Sequence, residues 1–473
     1  MPSLHLTRPV PPQLLSRAAG GLSILMLSAL IAGTLATGRL AGAGAVLDIA
    51  AVAAVALALL RLDRVSRIAR IFLGAAALSV ALVAATLPEA MPAMRQALMQ
   101  GTAFSAFLTA LGLIRAPVRG SKAIARAAEA LFAHTARVRI VAVSLGAQAI
   151  SVLFNIGTIG MISDIAADHD ARRATEGRRR IDTGAMTLAA LRGTLMMTVW
   201  SPIGLGFAIV TSAIPTLDPV LFLALALAAA LTIAVVTALL DARKAPAPSG
   251  QAAEAAPPGS AGALVAVLAA VAGLVAVTIL LHRLLDISFL IAACIVLPLL
   301  AVIWPRIERG LPRSGGSALV RVSAASEGMA TESTIFLAAA VIGAAVAQAA
   351  QAMGIDALIE RGSLPPLAVI LACLLAIPAA GALMIPHSIV MVMAAQLFGA
   401  SPVGAQHPYA LGLALCLAWA LAISASPISA MSIITGRQLH RPPHHVTFRV
   451  NRGFTLIAMT LAVAMTVLVY VVE

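Results

Sequence analysis

The chain has 473 residues, 61% of them hydrophobic and only 11% charged. Soluble proteins carry about 25% charged residues, and no single core in water encloses so much apolar surface. Soluble, disordered, coiled-coil and disulfide-built classes are therefore excluded, and a polytopic membrane protein remains. The net charge of +13 lies in the loops between apolar runs, where it orients a membrane protein. No basic–aromatic interleaving accompanies it, so nucleic acid is not an expected partner.

Apolar runs of about 20 residues predict spans. In chain order they are 18–38, 40–60, 71–88, 97–114, 190–215, 219–240, 261–281, 287–304, 328–351, 409–436 and 453–472. The first exceeds the apolar core of a signal peptide, lacks an A-x-A site and runs at once into another span, so residues 1–39 are read as an anchor helix. Stretch 140–163 is too short for two crossings, which need about 36 residues. It lies between Arg137 and Arg139 on one side and Arg172, Arg173, Arg178, Arg179 and Arg180 on the other.

Charge selects the topology. If 140–163 and 365–398 each return to the side they leave, only Arg39, Arg95, Arg283 and Arg361 face outward, with Arg192 at a boundary. If both cross, the basic residues divide far more evenly. The positive-inside rule favours the first arrangement. It predicts an all-α polytopic protein of the inner (cytoplasmic) membrane with about eleven transmembrane helices and two re-entrant hairpins. The N-terminus is cytoplasmic and the C-terminus external. For 365–398 a pair of short spans satisfies the charges equally well. The Pro-, Ala- and Gly-rich stretch 241–260 reads as a flexible linker between a first half, 40–240, and a second, 261–473.

The halves echo one another. Gln100-Gly-Thr-Ala-Phe104 is answered by Glu332-Ser-Thr-Ile-Phe336, Asn155-Ile-Gly-Thr-Ile-Gly-Met161 by Ile385-Pro-His-Ser-Ile-Val-Met391, and Ser201-Pro-Ile-Gly204 by Ser426-Pro-Ile-Ser429. The order is the same in both halves, and the predicted polarity is opposite. That pattern predicts two inverted-topology repeats with a site at their interface.

Proline inside a helix removes a backbone hydrogen bond and crowds the preceding turn. Serine is a good N-cap and proline a good first helical residue, so Ser201-Pro202 and Ser426-Pro427 are each read as a helix restarting within the membrane. Pro202 lies about ten residues, roughly 15 Å, beyond Arg192. The broken helices 190–215 and 409–436 would then aim unpaired amides, each pole worth about half a charge, at a central cavity suited to a carboxylate. Carbonyls near Val199 and Ala425 would suit sodium. The alternative is a pair of proline kinks patched by Ser or by packing.

Hairpin 140–163 brings Asn155 and Thr158 as oxygen ligands, with Gly157 allowing close backbone approach. Hairpin 365–398 brings His387 and Ser388 to the matching zone. His387 is read either as a proton-exchanging group or as a neutral histidine held in packing. Gly204, Ser424 and Ser429 complete the candidate binding set, which contains no catalytic or metal-ligating residue. Arg192 is expected to snorkel to the boundary, the role of Asp48 stays open, and His440, His444 and His445 lack the further ligands that a metal site needs. Cys294, Cys373 and Cys416 read as small hydrophobes.

These motifs resemble the ion transporter superfamily, especially divalent anion:sodium symporters and citrate- and arsenite-type permeases, over roughly residues 40–473. The resemblance implies two inverted repeats, each with a re-entrant hairpin and a broken helix meeting at the substrate, and often a homodimer. Where family members often place Ser-Asn-Thr at hairpin tips, this chain has Phe154-Asn155-Ile156-Gly157-Thr158 and Ile385-Pro386-His387-Ser388. Trp200-Ser201-Pro202-Ile203-Gly204 is also similar to a W-S-P-I-G-D stretch of sodium/proton antiporters, but Leu205 replaces the acid.

The expected function is secondary active transport of a small organic anion, a carboxylate, by alternating access. Sodium or a proton is the coupling ion, and no cofactor is required. The expected partners are the solute, membrane lipid and a second copy of the chain. A sodium/proton antiporter of the same architecture is the alternative. An intramembrane enzyme ranks lower, because neither H-E-x-x-H nor a pair of intramembrane carboxylates is present.

Overall fold

The computed structural model describes residues 12–177, 180–245, 257–308, 317–361 and 364–473. Helices α1 (Pro12–Ala36), α2 (Ala43–Leu60), α3 (Arg67–Thr86), α4 (Met91–Arg119) and the short α5 (Lys122–Ala130) come first. They are followed by α6 (Ala136–Phe154), α7 (Gly157–Thr175), α8 (Thr183–Trp200), α9 (Leu205–Ala213), α10 (Pro219–Lys244) and α11 (Ser260–Leu285). Then come α12 (Phe289–Ile307), α13 (Ala318–Glu327), α14 (Ala330–Ala352), α15 (Ile355–Glu360), α16 (Pro366–Ala382), α17 (His387–Gly399) and α18 (Pro402–Gln406). The chain closes with α19 (Pro408–Ala425), α20 (Ala430–Gln438), the single turn α21 (Pro443–His445) and α22 (Arg452–Val472).

No strand occurs among the described residues, and 12 helical segments are long and apolar enough to cross a membrane. The chain is an all-α polytopic membrane protein. The segment beyond the eleven predicted spans is Ala136–Phe154, the first limb of the stretch predicted as a hairpin. Of the predicted linker 241–260, residues 246–256 lie outside the described residues, as do Arg178 and Arg179. Residues 241–244 complete α10, and Ser260 opens α11.

Local chemistry places the helix starts. Ser66 accepts from the Ala69 N–H, Ser121 from Ile124, Asp182 from Ala185, and Asp218, followed by Pro219 at the first helical position, from Val220 and Leu221. Each side chain satisfies amides that a helix N-terminus leaves unpaired.

The chain forms two compact units, Met1–Pro117 with Leu297–Val341, and Val118–Val296 with Ile342–Glu473. Each unit draws on both halves of the sequence. In the first, the echoed Phe104 and Phe336 meet edge to face at 6.1 Å. Gly101 lies so close to the Leu337 backbone that an added Cβ would fall 2.9 Å from its carbonyl oxygen. Asp48 sits in the second turn of α2 and takes both ends of the Arg95 guanidinium, at 3.0 and 2.8 Å. Arg61, buried at the end of α2, donates to the carbonyl and hydroxyl of Ser326.

In the second unit α8–α9 and α19–α20 are the most enclosed elements. The apolar windows of Thr183–Ala213 and Pro408–Gln438 are each 83% buried, against 17% for α22 and 22% for α11. The broken helices are therefore the most enclosed of this unit's candidate spans, and α11 and α22 the least. The three cysteines are buried and unbridged, in line with their reading as small hydrophobes.

Where the chain passes from α7 to α8, Asp170 receives Arg180 (2.6 Å) and the Ile181 N–H (2.8 Å). The Arg180 guanidinium holds this carboxyl below the usual carboxylate range. A carboxyl depressed in the folded state stabilises fully above its unfolded pKa of about 3.9. That stability is lost as pH falls through the lower folded value. The melting temperature of the wild type is expected to drop on acidification below about pH 4 more steeply than that of Asp170→Asn; parallel curves would remove the link.

Candidate functional site

Both broken helices of the second unit have the same dimensions. A first limb of 18 residues (α8, α19) is followed by an interruption and a second limb of 9 residues (α9, α20). The interruptions are the two echoed segments, Ser201–Gly204 and Ser426–Ser429. In the first, the Gly204 N–H donates to the Ser201 carbonyl at 2.7 Å, and in the second Ser429 N–H donates to Ser426 at 3.2 Å.

These are β-turns with proline in their second position, which corrects the expectation for the Ser-Pro pairs. Ser201 and Ser426 terminate the first limbs instead of capping the second, and Pro202 and Pro427 lie inside the turns. The residue before a proline is driven out of the helical region, and Ser201 and Ser426 accordingly have ψ 123° and 118°. The second limbs begin at Leu205 and Ala430, with Gly204 and Ser429 as the true N-caps. Ser-Pro suits a turn as well as a helix start, and the amides of Gly204 and Ser429 closing back on Ser201 and Ser426 decide for the turn.

The stretches read as hairpins are helix–turn–helix pairs. Between α6 and α7 the chain turns at Asn155, with φ 51°. The Asn155 carboxamide oxygen accepts from its neighbour's Ile156 N–H at 2.8 Å, so this side chain holds the turn together. Both helices lie on α8: Ser151 pairs with Thr194, and Ser163 with Thr187, each at 2.8 Å. Gly193 lets α6 come so close that an added Cβ would stand 2.1 Å from the Ser144 carbonyl oxygen. Likewise α16 and α17, joined through Leu383–Pro386, both lie on α19, where Gly381 approaches the Ala422 carbonyl.

The two sets interlock. Helix α7 contacts α20, and α17 contacts α9. Gly206 packs on the Trp419 indole and Val210 on Gly412, so α9 and α19 run antiparallel. The His387 ring stands against Trp419 at 5.3 Å, and its Nδ1 has no hydrogen-bond partner.

Three hydroxyls at these turns are fully buried and unpartnered: Thr158 in the first turn of α7, Ser201 and Ser426. Gln148 on α6, 2% exposed, leaves both amide atoms unpaired; sequence reading missed it because a lone Gln in an apolar helix carries no spacing signal. Other predicted residues are committed to the protein. Ser424 binds Thr455 and Asn451, and Ser429 binds its own helix start. Gly157 packs on the Phe154 ring, and Ser388 follows His387 in the first turn of α17, half-buried.

Arg192 does not snorkel. It is largely enclosed in α8, ion-paired with Asp241 of α10, bonded to the Asn451 carboxamide oxygen at 3.1 Å and stacked over the Phe454 ring at 5.3 Å. The pair gives the guanidinium a partner within the protein, so it need not extend to water for one. The described residues hold no cluster of three or more His, Cys, Asp or Glu fit for a metal.

No family model matches the sequence, and no curated protein matches it either. In three dimensions the chain is similar to the crystal structure of the YdaH transporter of Alcanivorax borkumensis, described as having an unusual topology. The TM-score is 0.52 with 12% identity, over 84% of this chain and 96% of that one. The likeness places the chain among polytopic helical membrane proteins that share the fold of that transporter.

Proposed function

We propose that the chain is a secondary active transporter that moves a small organic anion, a carboxylate, across the inner membrane, coupled to sodium or protons by alternating access. The observation that carries this reading is the set of buried, unpartnered hydroxyls, Thr158, Ser201 and Ser426, at turns from which helices restart. A buried hydroxyl without a partner costs about 1–3 kcal/mol, a debt that a bound solute or ion removes. The starts of α9 and α17 have no side-chain cap, and the positive end of a helix dipole there favours negative charge.

The same reading takes the halves as inverted repeats of the ion transporter superfamily type, with α6–α7 and α16–α17 as re-entrant hairpins. Support comes from the equal limb lengths, the α7–α20 and α9–α17 contacts and the antiparallel run of α9 along α19. The transporter that shares the fold adds to it. A homodimer with the N-terminus in the cytoplasm belongs to the same proposal.

The test is uptake of radiolabelled succinate and citrate into proteoliposomes under an imposed sodium or pH gradient. Gradient-dependent accumulation is expected, and Ser201→Leu or Ser426→Leu should abolish it while leaving the protein monodisperse. Sodium-driven pH change with no carboxylate uptake would instead establish the antiporter.

A further inference from the structure

The two interruptions match in length and turn geometry, yet the protein holds them very differently. Pro427 cannot donate to the Ile423 carbonyl, four residues before it, and the Ser429 hydroxyl does so in its place at 2.9 Å. Ser429 also accepts from the Ser432 N–H. Ser424, in the last turn before the break, is bound by the Thr455 hydroxyl (2.8 Å) and the Asn451 carboxamide nitrogen (2.9 Å). The other end of Asn451, its oxygen, is held by Arg192, and Arg192 is held by Asp241. A hydrogen-bonded chain thus runs from α10 through α8 and α22 to the second break.

The first break has none of this. Pro202 withdraws the same donor from Thr198, but Gly204 stands where Ser429 stands in the other copy and has no hydroxyl to replace it. Val199 occupies the place of Ser424 and offers no polar side chain. A Cβ at Gly204 would lie 2.9 Å from the Ser201 carbonyl oxygen, so this turn is closed to the side chain that stabilises its counterpart.

We infer that the interruptions are mechanically unequal: the Asp241–Arg192–Asn451–Ser424 chain and the Ser429 cap fix the second break, and the first break is the one that opens. Arg192, Asp241 and Asn451 act as positioning residues for Ser424. The matched turns supply an internal control, since both begin Ser-Pro-Ile and both lie between limbs of 18 and 9 residues.

Hydrogen–deuterium exchange of the full chain in lipid nanodiscs, read on peptides covering 198–206 and 423–431, tests the inference. In the wild type the second segment is expected to exchange at least about tenfold more slowly than the first. Asn451→Leu should raise exchange at 423–431 by a similar factor and leave 198–206 unchanged, a local signature that general destabilisation would not give. Should that variant fail to assemble, Ser429→Gly gives the second turn the residue found in the first and should bring the two rates together. Equal rates in the wild type, or an unchanged second segment in the variant that folds, would overturn it.

Discussion

Asp241→Asn is expected to destabilise the protein by about 3–5 kcal/mol, the cost of leaving one buried charge of a pair without its partner. Arg192 has a side chain only 11% exposed, and Asp241 is the acid that balances it. Arg192→Leu should be milder. Asp241 would keep Lys244 at 2.9 Å, and its own side chain, 21% exposed, stays in reach of water. The double variant Arg192→Leu/Asp241→Leu is expected to recover most of the loss, because two apolar side chains carry no desolvation penalty. The deficit that remains is the Asn451 oxygen without its donor. Fluorescence-detected size-exclusion after heating checks the series. If Asp241→Asn melts with the wild type, Arg192 is neutralised by some other group and the pair is not what holds it.

Gly193→Ala should loosen the contact of α6 with α8. The added methyl would stand 2.1 Å from the Ser144 carbonyl oxygen, 2.9 Å from the Ala147 Cβ and 3.0 Å from the Gln148 nitrogen. Two of these are backbone atoms that no rotamer change can move, so the helices must separate. Overpacking of this kind costs about 1–3 kcal/mol and here also threatens the Ser151–Thr194 hydrogen bond. Gly262→Ala in α11, where nothing lies within 4 Å, serves as the control and should be neutral or slightly stabilising. On the proposed function, solute uptake by Gly193→Ala should fall with stability, since α6 and α7 both lie on α8. A Gly193→Ala protein that melts and transports as the wild type does would show that α6 has room to move.

Both effects come from close contacts between segments far apart in sequence, and sequence reading foresaw neither. It did foresee the membrane class and eleven of the twelve candidate spans; 140–163, read as a re-entrant hairpin, belongs to two 19-residue helices, the first long and apolar enough to cross a membrane. Composition, apolar run length and the turn at Asn155 are properties of short stretches, and the bilayer allows them few structures. The positions of both interruptions were equally legible, because a proline withdraws its donor wherever it stands.

What the sequence could not decide was which residue plays which part around each proline. Ser-Pro fits a helix start and a turn equally well. The next two residues settle the matter only once the Gly204 and Ser429 amides are seen to close back on Ser201 and Ser426. Arg192 shows the same limit at longer range. Its place at a predicted boundary suggests a side chain reaching for water, but Asp241 and Asn451, 49 and 259 residues away in the chain, hold it within the protein. The sequence by itself determined an all-helical membrane chain with two matched interruptions, because hydrophobicity and backbone donors act locally. Only the tertiary structure decided which polar groups are satisfied and which stay open, because a buried charge or hydroxyl takes whatever partner the packing brings.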